Sequence, residues 1–383
     1  MIKRIVFLLI VSVVTILVSA DDSPRSKVHK WIKDQYNLYR ETGITQEHIA
    51  VLDNMPGKVK KRFQIARYQI VDNQLYGEYY GTKGNIDRFN LMSDSLKKSL
   101  SMYKIPNVDF FVILSDGLYE KENNLAKYGE AMKELANSPI FAFSKNIELE
   151  KGLLLLPDIY ILAKNWDDFL QSIRNASSKY SFEAKENLVF WRGTSTGGTY
   201  NFSNATHLPR LKLIMLSLFY PKIIDARFTS LAQFSKNIDG YMFKFFLKNI
   251  KAIAGHITPV DHLKFKYLIS LDGNTTAWGR VPWILMSNSV FLKQETNDIQ
   301  YFYAGLAKDV NYVAIKEDLS DIFEKFNWLN THQEQAKQIA ENGTKFALEN
   351  LTSDKILEDM SLILIEYSKL QKFTLNQPTL DPL

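Results

Sequence analysis

With 383 residues, 46% of them hydrophobic and 13% aromatic, the chain is long enough for two domains with their own cores. A formal charge of +5 with interspersed signs leaves no basic stripe of the kind that tracks nucleic acid, so no nucleic-acid partner is expected. The absence of cysteine removes disulfides, zinc–thiolate sites, thiol nucleophiles and iron–sulfur clusters, and the six histidines include no pair at helical metal-ligand spacing, so no bound metal is expected.

The N-terminus, "MIKRIVFLLIVSVVTILVSADD", has Lys3 and Arg4, then an apolar run from Ile5 to Val18 and small residues before Asp21. That order is the pattern of a secretory signal. Residues 1–20 are expected to be a signal peptide or signal anchor, which places the body in a periplasm, a lumen or the exterior, with membrane contact only through an uncleaved segment.

Residues 26–105 read as charged helices that cover a sheet rather than form one. The first convincing strand is "VDFFVIL", Val108 to Leu114, ending at Ser115, Asp116 and Gly117. "GLLLLPDIYIL" ends a second hydrophobic element at Pro157 and Asp158. A helix over 165–178 then leads to the charged stretch "SFEAKEN", a crossing point between an N-terminal domain, 21–178, and a C-terminal domain, 179–352.

The second half alternates strand and helix. Strands are predicted at 188–191, in "KFKYLISL", in "VFLK" and at 312–315, with helices over 207–218 and 280–288. Such alternation predicts parallel strands with crossover helices, hence a Rossmann-like domain. Leu319, Ile322, Phe323, Phe326 and Leu329 form a helical stripe, Thr331 with Glu334 has the spacing of a capping box, and a last helix over 353–370 is apolar enough to dock back.

Arginine is scarce, eleven of the 47 basic residues, yet two arginines sit at strand-to-helix junctions: Arg192 in "FWRGTSTGG" and Arg280 in "TAWGRVP". A guanidinium matches two phosphate oxygens at once, and Gly193, Thr194 and Ser195 let backbone N–H groups approach an anion. Together they describe a diphosphate cradle; the competing reading is surface ion pairs and plain turns. The same residues spell G-x-S-x-G, a serine-hydrolase elbow built on Ser195, with His256 or His332 and Asp225 in the right chain order. Against it, a long polar loop stands where a helix should follow.

"FWRGTSTGG", "LPRLKL", "KYLISLDGNTTAWGRVPWILMSNSVFLKQET" and "YVAIKEDLSDI" resemble the capsule-associated and protein O-glucosyltransferase-like (Rumi-like) family, which includes bacterial lipopolysaccharide-modifying transferases. The resemblance implies a GT-B architecture of two Rossmann-like domains facing a cleft, with extra N-terminal helices and a C-terminal helix and tail, 353–383, docking back. It also implies an inverting, metal-independent transferase that moves a glucose- or xylose-like sugar from UDP to a hydroxyl of a glycan, lipopolysaccharide or protein. No cofactor is implied, the UDP-sugar being a co-substrate. By the family pattern Arg192 and Arg280 contact the diphosphate, Gly193, Thr194 and Ser195 contribute amides, and Asp272 and Asn274 shape the adjoining loop. Ser287, Ser289 and Glu295 fall toward the nucleoside. Asp116 is the general base, with Asp158 in reserve. The chain departs from relatives in lacking a second arginine after Gly193 and in having Gly117 and Leu118 after the aspartate. A non-catalytic sugar- or nucleotide-binding relative is the remaining alternative.

Overall fold

The protein is described here by a computed structural model covering residues 22–118 and 123–383, so the expected signal segment lies outside the described residues. In the first half the strands are β1 (Ile65–Val71), β2 (Gln74–Tyr79), β3 (Val108–Ile113), β4 (Phe141–Ala142), β5 (Lys145–Asn146) and β6 (Leu154–Leu155). The second half contributes β7 (Glu186–Thr194), β8 (Ile224–Ser230), β9 (Phe265–Ser270), β10 (Val290–Gln294), β11 (Asp298–Ile299) and β12 (Val313–Ile315). One five-stranded sheet has the order β2-β1-β3-β4-β6, the other β12-β10-β9-β7-β8, and β5 pairs with β11 to link the halves.

Alternation along the strands explains the layering. In β7, Val189 and Trp191 point to the outer core of the second half while Phe190 points inward, and β10 repeats this with Val290, Leu292 and Phe291. β3 divides likewise, Phe110 and Val112 inward, Phe111 and Ile113 outward. The inward residues of both sheets join one hydrophobic cluster, which the last helix, Ser353–Leu370, completes through Ile356, Met360, Ile363 and Leu364. That helix is tied to the first half by Tyr367, whose hydroxyl donates to the Asp109 carbonyl at 3.1 Å. Two α/β halves thus face each other across a packed seam, as the GT-B expectation required.

Several expectations are corrected. Residues 26–105 do not only cover a sheet: β1 and β2 form an antiparallel hairpin within it, and β1 also pairs with β3. Its turn residues Asp72 and Asn73 have φ of 49° and 63°, the left-handed pair that a tight hairpin favours. Arg67 and Gln69 disguise β1 as polar. Both are buried, and the Asp109 carboxylate accepts from Arg67 at 2.9 and 2.7 Å and from Gln69 at 2.7 Å. In the second half, β8 and the helix Ile238–Asn249 were not expected. Thr331 does not open the next helix; it closes the preceding one, its hydroxyl donating back to the Asn327 carbonyl at 2.9 Å.

Candidate active site

The second sheet is parallel throughout, and its order changes direction between β7 and β9. Ligands of open α/β sheets bind beyond the carboxyl ends of the strands at such a switch point. Here β7 runs into Ser195–Gly197 and β9 into Leu271–Asn274. One side chain stitches these loops together. Arg210, in the first turn of the helix Pro209–Phe219, donates to the carbonyls of Thr194 (2.8 Å), Leu271 (3.0 Å) and Asp272 (3.1 Å) and to the Thr196 hydroxyl (2.5 Å). Gly273 has to be glycine for this: a Cβ there would lie 2.7 Å from Arg210 Nη2.

Arg280 begins the short helix Arg280–Met286 and donates to the Arg192 carbonyl at 2.8 Å. Burial, helped by the charge of Arg210, lowers its pKa to about 10, and burial lowers that of Arg210 too. Neither guanidinium has a carboxylate within ion-pair distance among the described residues. A partly desolvated guanidinium without a carboxylate partner in ion-pair contact favours an anion, so the two give this wall of the cleft an electropositive character.

Across from them stands Asp116, just after β3. Its Oδ1 accepts from Arg88 Nη2 at 2.9 Å and its Oδ2 from Asn274 Nδ2 at 3.1 Å. Arg88 also donates to the Leu114 carbonyl at 2.7 Å and lies over the Trp278 ring at 5.1 Å. The resulting cleft, about 330 Å³, is lined by Arg88, Asp116 and Tyr160 from the first half and by Arg210, Asn274 and Arg280 from the second. An aromatic recess of about 390 Å³ adjoins it through Tyr160, Trp278 and Arg280 and is walled by Trp166, Phe169 and Trp283.

The expected residues divide into those this geometry brings together and those it does not. Asp116, Thr194, Asn274 and Arg280 line the cleft. Gly193 is still within β7, opposite Phe228 of β8, and Ser195 begins the adjoining loop. Ser195 is fully buried, its hydroxyl donating to the Ala232 carbonyl at 2.7 Å and accepting from the Ala232 N–H at 2.6 Å. Both directions of the hydroxyl are spent on one backbone residue, which removes the hydrolase elbow. Asp272 lies partly buried beneath the loop, accepting from the Thr296 hydroxyl at 2.6 Å, and desolvation raises its pKa to about 6.

Arg192 is the main correction. It lies on the opposite face of β7 from Trp191, against which Arg210 packs, and stacks on Phe190 at 4.3 Å. There Asp225 of β8 captures it at 2.8 Å. Without knowledge of β8 the sequence offers no reason to turn it away. Arg210, in the quoted "LPRLKL", is the arginine that reaches the cleft from this side of β7, and only pairing of β7 with β9 shows that.

Ser287 and Ser289 precede β10, at the opposite end of the sheet from the cleft. They hold the buried Lys185 ammonium, which donates to the Ser287 carbonyl at 3.1 Å and to Ser289 Oγ at 2.9 Å. Glu295 is half exposed and pairs with Lys308 at 3.5 Å. Asp158 is a buried turn residue whose Oδ1 accepts from the N–H groups of Tyr160 and Ile161 at 2.9 and 3.3 Å, and burial raises its pKa to about 7. It is not part of the cleft wall.

The chain is 27% identical to "Protein O-glucosyltransferase 2" of Danio rerio over 332 residues, covering 81% of this chain and 57% of that one. It is 26% identical to "Protein O-glucosyltransferase 1" of Bos taurus, covering 89% of this chain and 82% of the relative. The chain therefore spans little more than half the length of some curated relatives. A solved structure, Anabaena Alr3699/HepE in complex with UDP-glucose, is a distant neighbour at 11% identity and a TM-score of 0.40, covering 72% of this chain and 75% of that one; a likeness so distant carries no argument. The family profile described as "Glycosyl transferase family 90" matches residues 22–380, nearly the whole chain, and the protein belongs to that family.

Proposed function

We propose that this protein is an inverting, metal-independent glycosyltransferase that moves a sugar, glucose- or xylose-like, from a UDP-sugar to a hydroxyl of a glycan, lipopolysaccharide or protein. The observation that carries this reading is the pair of partly buried arginines, Arg210 and Arg280, without carboxylate partners within ion-pair distance among the described residues, on one wall of a cleft whose other wall carries Asp116. The arginines supply the counter-charge for a diphosphate, the work a divalent ion does in other transferases.

In this reading the diphosphate lies against Arg280 and the Thr194–Thr196 loop, with the anomeric carbon toward Asp116. An acceptor hydroxyl enters from the opposite side, its oxygen forming a bond to the anomeric carbon as the bond to the phosphate oxygen breaks. The proton passes to Asp116 and the electron pair leaves with UDP, inverting the configuration in one displacement. Arg88 and Asn274 hold the carboxylate in place.

Thermal unfolding in EDTA tests the reading. UDP at a hundred times its Kd should stabilise the protein by about 2.7 kcal/mol, because ligand binds only the native state. No rise in Tm at millimolar UDP, or a rise that needs a divalent cation, would refute it.

A further inference from the structure

We propose that the helix Ile238–Asn249, with Phe202 beside it, is a docking surface for an anionic lipid bilayer. This helix buries Gly240, Phe243 and Leu247 against the second sheet. Its other face is apolar yet open to solvent: Ile238 is 75% exposed, Tyr241 66%, Met242 53% and Phe245 63%. Their spacing, i, i+3, i+4 and i+7, puts all four on one stripe. Phe202 widens it, its ring 4.8 Å from Phe243 and 5.7 Å from Phe246.

Scattered exposed apolar residues are normal, but a contiguous stripe marks an interaction site. Charge decides the partner. Lys236, Lys248 and Lys251 are exposed around the stripe and Lys244 lies half-buried within the helix, and none of the four forms an ion pair among the described residues. The one acid of the helix, Asp239, is occupied by the Phe202 N–H at 3.2 Å. Aromatic and aliphatic residues on one face with free lysines at its margins suit the boundary between acyl chains and acidic head groups.

Twelve residues make a helix of roughly 18 Å, too short to cross a hydrocarbon core of about 30 Å but suited to lying in its surface. The loop leading into this helix touches a residue of the cleft wall. Gln233 donates to Asn274 Oδ1 at 2.7 Å, so a bound membrane would lie beside the entrance to the site.

The absence of cysteine makes a clean test possible. The full-length protein with Met242→Cys, carrying an environment-sensitive dye, is mixed with vesicles of phosphatidylcholine alone or with phosphatidylglycerol at about one lipid in three. The dye should report water in free protein and an apolar environment on the mixed vesicles. Binding of the mixed vesicles should be about tenfold tighter or more, and should weaken with salt. Tyr241→Ser with Phe245→Ser should abolish the difference while leaving the UDP-induced rise in Tm unchanged. Vesicle binding without a change at the dye, or equal binding to both vesicles, would overturn the proposal. So would an apolar signal without lipid, which would mean that the N-terminal apolar segment or a second copy covers the stripe.

Discussion

Asp116 is held by two neighbours with different roles. Arg88 comes from the first half and Asn274 from the second, so the carboxylate is positioned only when the halves are closed on each other. Asp116→Asn keeps the shape and one of the two accepting positions but cannot take a proton. UDP affinity should stay within about twofold while turnover falls by about a hundredfold or more, the usual scale for a general base. Retained turnover would move the base elsewhere. Arg192 gives the complementary prediction. Because it pairs with Asp225 and not with the cleft, Arg192→Lys should leave the UDP Kd within about twofold, measured by titration, and lower Tm by only a few degrees. A large loss of affinity would return Arg192 to the site. Asp116 and Arg280 were legible because each ends or follows a recognisable element in a characteristic motif. Arg210 was not: its importance comes from three carbonyls supplied by two loops distant in sequence.

At the scale of elements, the buried turn at Asp158 makes a pH-dependent claim. Its carboxyl has an ordinary value of 3.8 and is pushed by burial to about 7. The folded state therefore holds a proton that the unfolded state releases between pH 4 and 7, and stability is lost as pH rises through that window. Asp158→Asn keeps the acceptor for Tyr160 and Ile161 and has nothing to ionise. Relative to the native protein, its Tm should be higher at pH 8 than at pH 4, by an amount equivalent to roughly 4 kcal/mol or less, with transfer activity preserved. An equal difference at both pH values would contradict the assignment. The β1–β2 hairpin shows where elements escaped sequence reading. Its strand carries Arg67 and Gln69, which look solvent-facing until Asp109 is placed between them, whereas Asp72–Asn73 is a turn signal that was present and could have been used. β8 was hidden in the same way, since "IDARFTS" alternates as an ordinary amphipathic strand but holds Arg227 and Asp225 for local pairs. The strands of apolar residues, β3, β7, β9 and β10, were all found.

For the whole molecule, the order of the second sheet and the return of the last helix make one cleft from two halves. The alternation of strand and helix was enough to foresee the parallel sheet, because a crossover helix leaves few other topologies. What it could not supply was the setting of each arginine, which is a property of the closed assembly: Arg280 is partly buried and shares the cleft wall with Tyr160 from the first half and Trp278 from the second. In the function proposed above, these partly buried guanidiniums take the place of a metal on a diphosphate. Calorimetric titration of UDP and UMP in EDTA, against the native protein and Arg280→Lys, tests it most directly. UDP should bind about tenfold or more tightly than UMP, and the substitution should remove most of that advantage. If UDP and UMP bind alike, or if Arg280→Lys leaves their difference intact, the arginine pair is not the phosphate site.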